Sequence, residues 1–300
     1  HAANALSRAQ ILLTDAYYRE RIGDLEGAMV RQVRTAKLLS PLADEYSGQL
    51  RSEAVGYALV NSWTLGLPSG PVTELLGCQS VQDFEFLLSA SKPNWQGEAK
   101  IQYLELLAVR LNVELEGITR GHLVQAGRAA RRLEVLLGPE HHWVLDALSF
   151  DAWLSYKLGD HEVALGKYSA LRVRAQNSAG IDDVRVALAE FGMGTSTIHL
   201  ASAELAAQKD ENHHLQGIRP LFESAVSRLT ASAGPNSRLT LHARLNQAVG
   251  EGLCDRHANK QVLLKELLVD LEHNLPPSDP IRFTALRGLY ETYQYQGRFE

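Results

Sequence analysis

Cysteine is scarce in this chain of 300 residues, with only Cys78 and Cys254, which lie far apart and form no C-x-x-C motif. A disulfide framework and a zinc site built on paired cysteines are therefore excluded, while a single bridge between the two stays open. Long apolar runs are missing too. The stretch "YALVNSWTLGL" (57–67) is shorter than the roughly 20 residues of a membrane-spanning helix and contains Asn61 and Ser62. We predict no membrane span, and with no signal peptide visible the cytoplasm and a bacterial periplasm both stay open as the compartment.

Positive charge is not in excess. Lysine and arginine number 30 against 35 acidic residues, which gives a net charge of -5, and only "RAARR" (128–132) is locally basic. A protein that holds a polyanion needs an extended basic surface, because counterion release supplies most of the affinity. We therefore predict no nucleic-acid binding by this segment.

Histidine spacing argues against a metal site. His141 and His142 are adjacent, as are His213 and His214, whereas two ligands on one helix face need a spacing of three or four. The segment "HEVAL" (161–165) lacks the second histidine of a zinc-protease motif. We predict no bound metal.

Motifs of catalysis and of cofactor binding are also missing. The segment "GMGTSTIH" (192–199) contains no lysine of a phosphate-binding loop, so Gly192 and Gly194 are better explained by close helix packing. No G-x-S-x-G elbow of a serine hydrolase is present, and Cys78 has no basic neighbour to activate it. We predict that these residues form no enzyme and hold no cofactor.

Apolar residues recur with the 3.6-residue period of helices along nearly the whole chain, and strand-like alternation is almost absent. Proline and glycine fall between the periodic stretches, where they end one helix and precede the next. These breaks are "LGLPSGP" (65–71), "SKPNW" (91–95), "LGPEHH" (137–142), "SAGPNS" (232–237) and "NLPPSDP" (274–280). The pattern predicts an all-α fold.

A turn followed by an apolar helix start recurs as "LGPEHHWVLDAL" (137–148), "AGPNSRLTLHAR" (233–244) and "LPPSDPIRFTAL" (275–286). The last two begin 42 residues apart and the first two 96 apart, which is 42 plus 54. One further unit fits between them if it carries 12 extra residues, and we place that insertion at "QKDENHHLQGIR" (208–219), as a surface loop or a partner contact. The turns between paired helices are then predicted at Gly117, Gly159, Ala201, Asp255 and Gly297.

Each predicted hairpin buries its apolar face only if neighbouring hairpins stack on it, which favours a superhelix with a concave and a convex surface. Gly159 suits a tight turn, and Ala164 is small enough for its helix to approach the preceding one closely. Residues 97–300 carry repeats of about 42 residues, whereas 1–96 hold degenerate repeats with one turn at Gly23. We expect one continuous solenoid that is part of a longer chain, because His1 is not an initiator Met and Glu300 falls where a helix should begin.

The unit resembles the tetratricopeptide repeat, in its long, kinesin-light-chain-like form, through the turn "GPEHH" (138–142), the phrase "GDHEVA" (159–164) and the final "DPIRFTALRGLYETYQYQGRFE" (279–300). The resemblance implies a right-handed α-solenoid of antiparallel helix hairpins. The paired asparagines usual in the first helix of that family are replaced here, for example by Ser149 and Phe150.

The repeat spacing also predicts which residues of each first helix face the groove. The candidates are Ser149, Trp153 and Lys157 in one unit, Phe191, Thr195 and His199 in the next, and Arg287, Glu291 and Gln294 in the last. Aromatic and arginine side chains are favoured interface anchors, although Trp153 could instead pack between repeats.

Two functions remain open from the sequence. The first is a non-catalytic module that binds a partner peptide or helix on its concave face. The second is suggested by the family resemblance: a sensory or regulatory domain, binding a ligand or self-associating as a homodimer, of a bacterial membrane-linked winged-helix transcription regulator or Ser/Thr kinase.

Overall fold

The structure, a computed structural model, describes residues 2–21, 24–42, 45–64, 98–179, 184–207 and 214–297. Regular structure within these residues is entirely α-helical, which confirms the all-α prediction. The helices are, in chain order, α1 (Ala2–Arg21), α2 (Leu25–Leu39), α3 (Glu45–Thr64), α4 (Glu98–Glu116), α5 (Arg120–Leu137), α6 (His142–Lys157), α7 (His161–Ala179), α8 (Val184–Ala206), α9 (Leu215–Ala233), α10 (Arg238–Leu253), α11 (His257–Asn274) and α12 (Pro280–Tyr295).

The chain forms two compact units, His1–Leu158 with α1 to α6 and Gly159–Glu300 with α7 to α12. In each unit, helices that follow one another in the chain pack against each other, as helical hairpins do. In the second unit, α10 also contacts α8 and α12. The core of the first unit includes Leu106, Leu133 and Leu154, and that of the second includes Phe222 and Leu264.

Residues in left-handed backbone conformations mark the turns of several hairpins. Gly117, Gly159 and Gly297 have φ angles of +88°, +83° and +64°, which a residue without Cβ adopts at little cost. Asp255 takes the same role between α10 and α11 with φ of +60°. The turn predicted at Gly23 lies outside the described residues.

The turn predicted at Ala201 is wrong. Ala201 is fully buried within α8, which is 23 residues long where α6, α10 and α12 each have 16. No glycine or proline interrupts "TSTIHLASAELA" (195–206), and its alanines and leucines favour continued helix. The last five residues of the predicted insertion, 215–219, are also helical, as the start of α9.

Small residues allow helices to approach closely in the second unit. A Cβ on Gly194 would lie 2.7 Å from the ring of Phe222, and one on Gly192 would lie 2.5 Å from the ring of Tyr168. Ala164 is fully buried in α7. Gly192 and Gly194 therefore permit helix packing, as the sequence indicated.

A buried ion pair fixes the start of α12. Asp279 is the N-cap of this helix, and its Oδ1 accepts a hydrogen bond of 2.9 Å from the Ile281 N–H. Its other carboxylate oxygen pairs with the guanidinium of Arg238, the first residue of α10. One carboxylate thus satisfies a free helix-end N–H and neutralises a buried cation.

Candidate functional site

Trp153 and Lys157 form one patch on α6, together with Phe150. The Trp153 ring is partly exposed and stacks on the buried Phe150 ring, with centroids 5.8 Å apart and planes at 19°. Lys157 is exposed, and its Nζ lies 5.8 Å from the centre of the Trp153 ring. Ser149, four residues before Trp153, is partly exposed. The spacing of four residues therefore brings the predicted row onto one helix face.

Arg110 of α4 extends this patch into the core. Its guanidinium lies 4.6 Å from the centre of the Phe150 ring, and its Nη2 donates a hydrogen bond of 2.8 Å to the Asp146 carbonyl oxygen. Burial lowers the pKa of Arg110. Arg110, Phe150, Trp153 and Lys157 thus form a stack of two rings between two cations, which we call the Trp153 ladder.

Sequence reasoning missed Arg110. It lies between the apolar residues Val109 and Leu111, 42 residues before the fully buried Ala152. An arginine at a repeat position otherwise held by alanine was the available signal. Its contact with Phe150 joins two helices and could not be read from spacing within either one.

A second aromatic cluster joins α3, α4 and α6. The Trp143 Nε1–H donates a hydrogen bond of 2.8 Å to the Tyr57 hydroxyl oxygen, and the Trp143 ring stacks on Tyr103 at 4.8 Å. The Tyr103 hydroxyl donates to Asp146 Oδ2 at 3.3 Å. Burial raises the pKa of Tyr57 and of Tyr103, and the carboxylates of Glu53 and Asp146 add to the two increases respectively. Both tyrosines stay protonated as structural donors and acceptors, and neither can act as a base near neutral pH.

The second predicted row, on α8, mostly serves packing. The Phe191 ring lies 6.2 Å from Phe222 and 5.1 Å from His242, between α9 and α10. The Thr195 hydroxyl donates to the Gly192 carbonyl oxygen at 3.0 Å. His199 is exposed, and its ring stacks on that of His161 at 4.5 Å. Of this row, His199 is the residue presented to solvent.

The third predicted row lies on the outer face of α12. Arg287 and Glu291 form an exposed ion pair of 2.9 Å, and Lys260 Nζ is 4.0 Å from the other oxygen of Glu291. Burial lowers the pKa of Lys260. Gln294 is exposed. This row is therefore a charged surface in the second unit, while the Trp153 ladder belongs to the first.

No group of three or more metal-ligating side chains occurs among the described residues. Cys254 is partly buried, burial raises the pKa of its thiol, and its Sγ lies 3.6 Å from the Leu215 carbonyl oxygen. A cysteine in that state is a poor nucleophile. Cys78 and His213 lie outside the described residues. None of the helices in the described part of the chain is long and apolar enough to cross a membrane.

Comparison with known proteins gives no assignment by similarity. No protein-family model matches the chain, and no curated protein matches its sequence.

Proposed function

We propose that the chain is a non-catalytic interaction module that binds a peptide or helix of a partner protein, with the Trp153 ladder as an anchor. The supporting observation is that a partly exposed tryptophan ring stands beside an exposed cation. Tryptophan and arginine are the residue types that most often dominate binding energy at protein interfaces.

The ladder is suited to binding because it is held in place before a partner arrives. Phe150 is buried beneath Trp153, and Arg110 is buried beneath Phe150. The Trp153 ring therefore has little rotamer freedom to lose, which lowers the entropic cost of docking. A partner residue would stack against the exposed part of the indole, and a partner carboxylate would meet Lys157.

The remaining exposed members of the predicted rows extend this proposal. Ser149 would contact the same partner segment as Trp153 and Lys157, because all three share one helix face. His199, Arg287, Glu291 and Gln294 are exposed in the second unit and are proposed as further contacts.

The experiment is a selection from a phage library of short random peptides, followed by fluorescence anisotropy with the enriched peptides. Trp153→Ala is expected to weaken their binding at least ~10-fold, as truncation of an interface tryptophan does. Lys157→Gln should weaken mainly the peptides that carry an acidic residue. The matched control is Val135→Ala, an exposed apolar residue on α5 that should leave binding unchanged.

Two results would contradict the proposal. One is a folded protein that enriches no peptide over the library background. The other is enriched peptides that bind the folded Trp153→Ala variant as tightly as the original chain, since they would then use another surface.

A further inference from the structure

The outer face of α12 carries large apolar side chains that no described residue covers. Phe283, Leu286 and Tyr290 are 70%, 53% and 59% exposed. Their spacing of three and then four residues places them along one side of the helix. We call these three residues the α12 stripe.

The repeat spacing shows that these positions are packing positions. Leu241 and Ala248 of α10 lie 42 residues before Phe283 and Tyr290, and both are fully buried. The residues 96 positions before those of α10, and 54 before them, are buried as well. These are Leu145 and Ala152 in α6, and Ala187 and Gly194 in α8. The same two positions are thus core in three helices and exposed in the fourth.

The element that covers α10 identifies what would fit α12. Leu264, Leu267 and Leu271 of α11 share a core cluster with Leu241 and Ala248. These leucines also follow a spacing of three and then four residues. The inner face of α12 already packs into that cluster through Ile281 and Ala285. A helix like α11 on the other side of α12 would complete the same arrangement.

From this equivalence we infer that the α12 stripe is a docking site for an amphipathic helix of a partner protein. The helix carries leucine-type residues three and four positions apart, as α11 does, and lies along α12 as α11 lies along α10. Burial of three large apolar side chains supplies the attraction. Helix-in-groove recognition of this kind is read through such regularly spaced anchors.

A second copy of the chain fits the stripe less well. If two α12 helices paired antiparallel about a two-fold axis, with Phe283 against Tyr290 of the other copy, that axis would pass between Leu286 and Arg287. The two Arg287 side chains, each 68% exposed, would then face each other across it. Like charges opposed at an interface disfavour the pairing. A partner helix with an acidic residue at that level meets no such repulsion.

The probe is a fluorescein-labelled peptide of residues 257–274, the sequence of α11, titrated with the whole chain and followed by anisotropy. We expect saturable binding to one site. Tyr290→Glu should weaken it at least ~10-fold, because a charge then enters an apolar contact. Val135→Glu, which changes a residue 78% exposed on α5, should not affect it. A control peptide with Leu264→Ser, Leu267→Ser and Leu271→Ser should not bind.

Phe283→Ser serves as a second, milder variant if Tyr290→Glu fails to fold, as judged by far-UV circular dichroism. Absence of saturable binding to the folded chain would overturn the inference, as would equal binding to a folded stripe variant. Sedimentation that reveals a dimer abolished by the stripe variants would overturn it too, since a second copy would then be the occupant. Trp153→Ala should leave this binding unchanged, which separates it from the proposed groove.

Discussion

The ion pair between Glu190 of α8 and Arg228 of α9 has a reversed counterpart in the next repeat. Arg244 of α10 lies 54 residues after Glu190, and Asp270 of α11 lies 42 residues after Arg228. The first pair joins at 3.1 Å and the second at 2.6 Å. The difference between the two offsets equals the 12-residue insertion, so both pairs occupy one position with opposite polarity. Exchanging the charges of the first pair should therefore be tolerated better than either single change.

The magnitude follows from burial and from the bonds lost. The Glu190 side chain is 4% exposed, and one of its oxygens accepts hydrogen bonds from Arg228 Nε and from the Ser224 hydroxyl at 2.7 Å. Loss of bonds to a buried charge, with like charges left facing each other, costs about 3 kcal/mol of unfolding free energy for Glu190→Arg or Arg228→Glu. Arg228 is 18% exposed, so water stabilises part of its charge and the loss stays at the lower end of the usual range.

The double variant, Glu190→Arg with Arg228→Glu, should regain about 2 kcal/mol relative to the sum of the single changes. Urea unfolding followed by far-UV circular dichroism measures this. Tryptophan fluorescence reports on the first unit instead, because all four tryptophans precede Gly159. The matched control is the same exchange at the exposed Arg287–Glu291 pair, where each variant should change stability by less than ~0.5 kcal/mol.

A double variant no more stable than the additive expectation would refute the coupling. The two pairs would then be neighbours in sequence register without energetic equivalence, and their support for the placement of the insertion would be lost. Equal effects at the exposed control pair would also contradict the reasoning, because they would show that burial is not what gives the Glu190 pair its strength.

Two further predictions concern glycine and tyrosine. Gly194→Ala should lower unfolding free energy by about 1–3 kcal/mol because its Cβ would press on the buried Phe222 ring, whereas Gly166→Ala, with no atom within 4 Å of its Cβ, should raise it by up to ~1 kcal/mol; equal urea midpoints for the two would contradict this. Burial raises the pKa of Tyr57 and Tyr103, so the unfolded state loses their protons first and stability should fall above about pH 10 by about 1.4 kcal/mol per pH unit for each. Tyr57→Phe should remove one such increment from the slope measured by urea unfolding at graded pH, and an unchanged slope would show that Tyr57 ionises in the folded state.

The turns were the most predictable part of the fold. Gly117, Gly159 and Gly297 adopt positive φ, and a residue that tolerates this conformation is recognisable from its type alone. The end of α8 was not predictable from the repeat. "ASAELA" (201–206) keeps the acid and the alanine of "GDHEVA" but has no glycine, so local helix propensity continues the helix where the spacing called for a turn.

Spacing also explains what could and could not be foreseen of the candidate site. Trp153 and Lys157 share a face because they are four residues apart on one helix. Phe191 was placed on the same row, yet its ring packs among Phe222 and His242, which come from helices whose approach no spacing within α8 specifies. Contacts within a helix were predictable from sequence, whereas contacts between helices required the structure.

The comparison of Leu241 with Phe283 carries this argument one step further. Both are large apolar residues at one repeat position, and helical periodicity treats them alike. Leu241 is core because α11 covers it, while Phe283 is 70% exposed. A sequence pattern therefore specifies that a face seeks apolar contact, and the neighbouring helix decides whether the contact is internal. By the same logic the α12 stripe has the composition of a core position and the exposure of a binding surface.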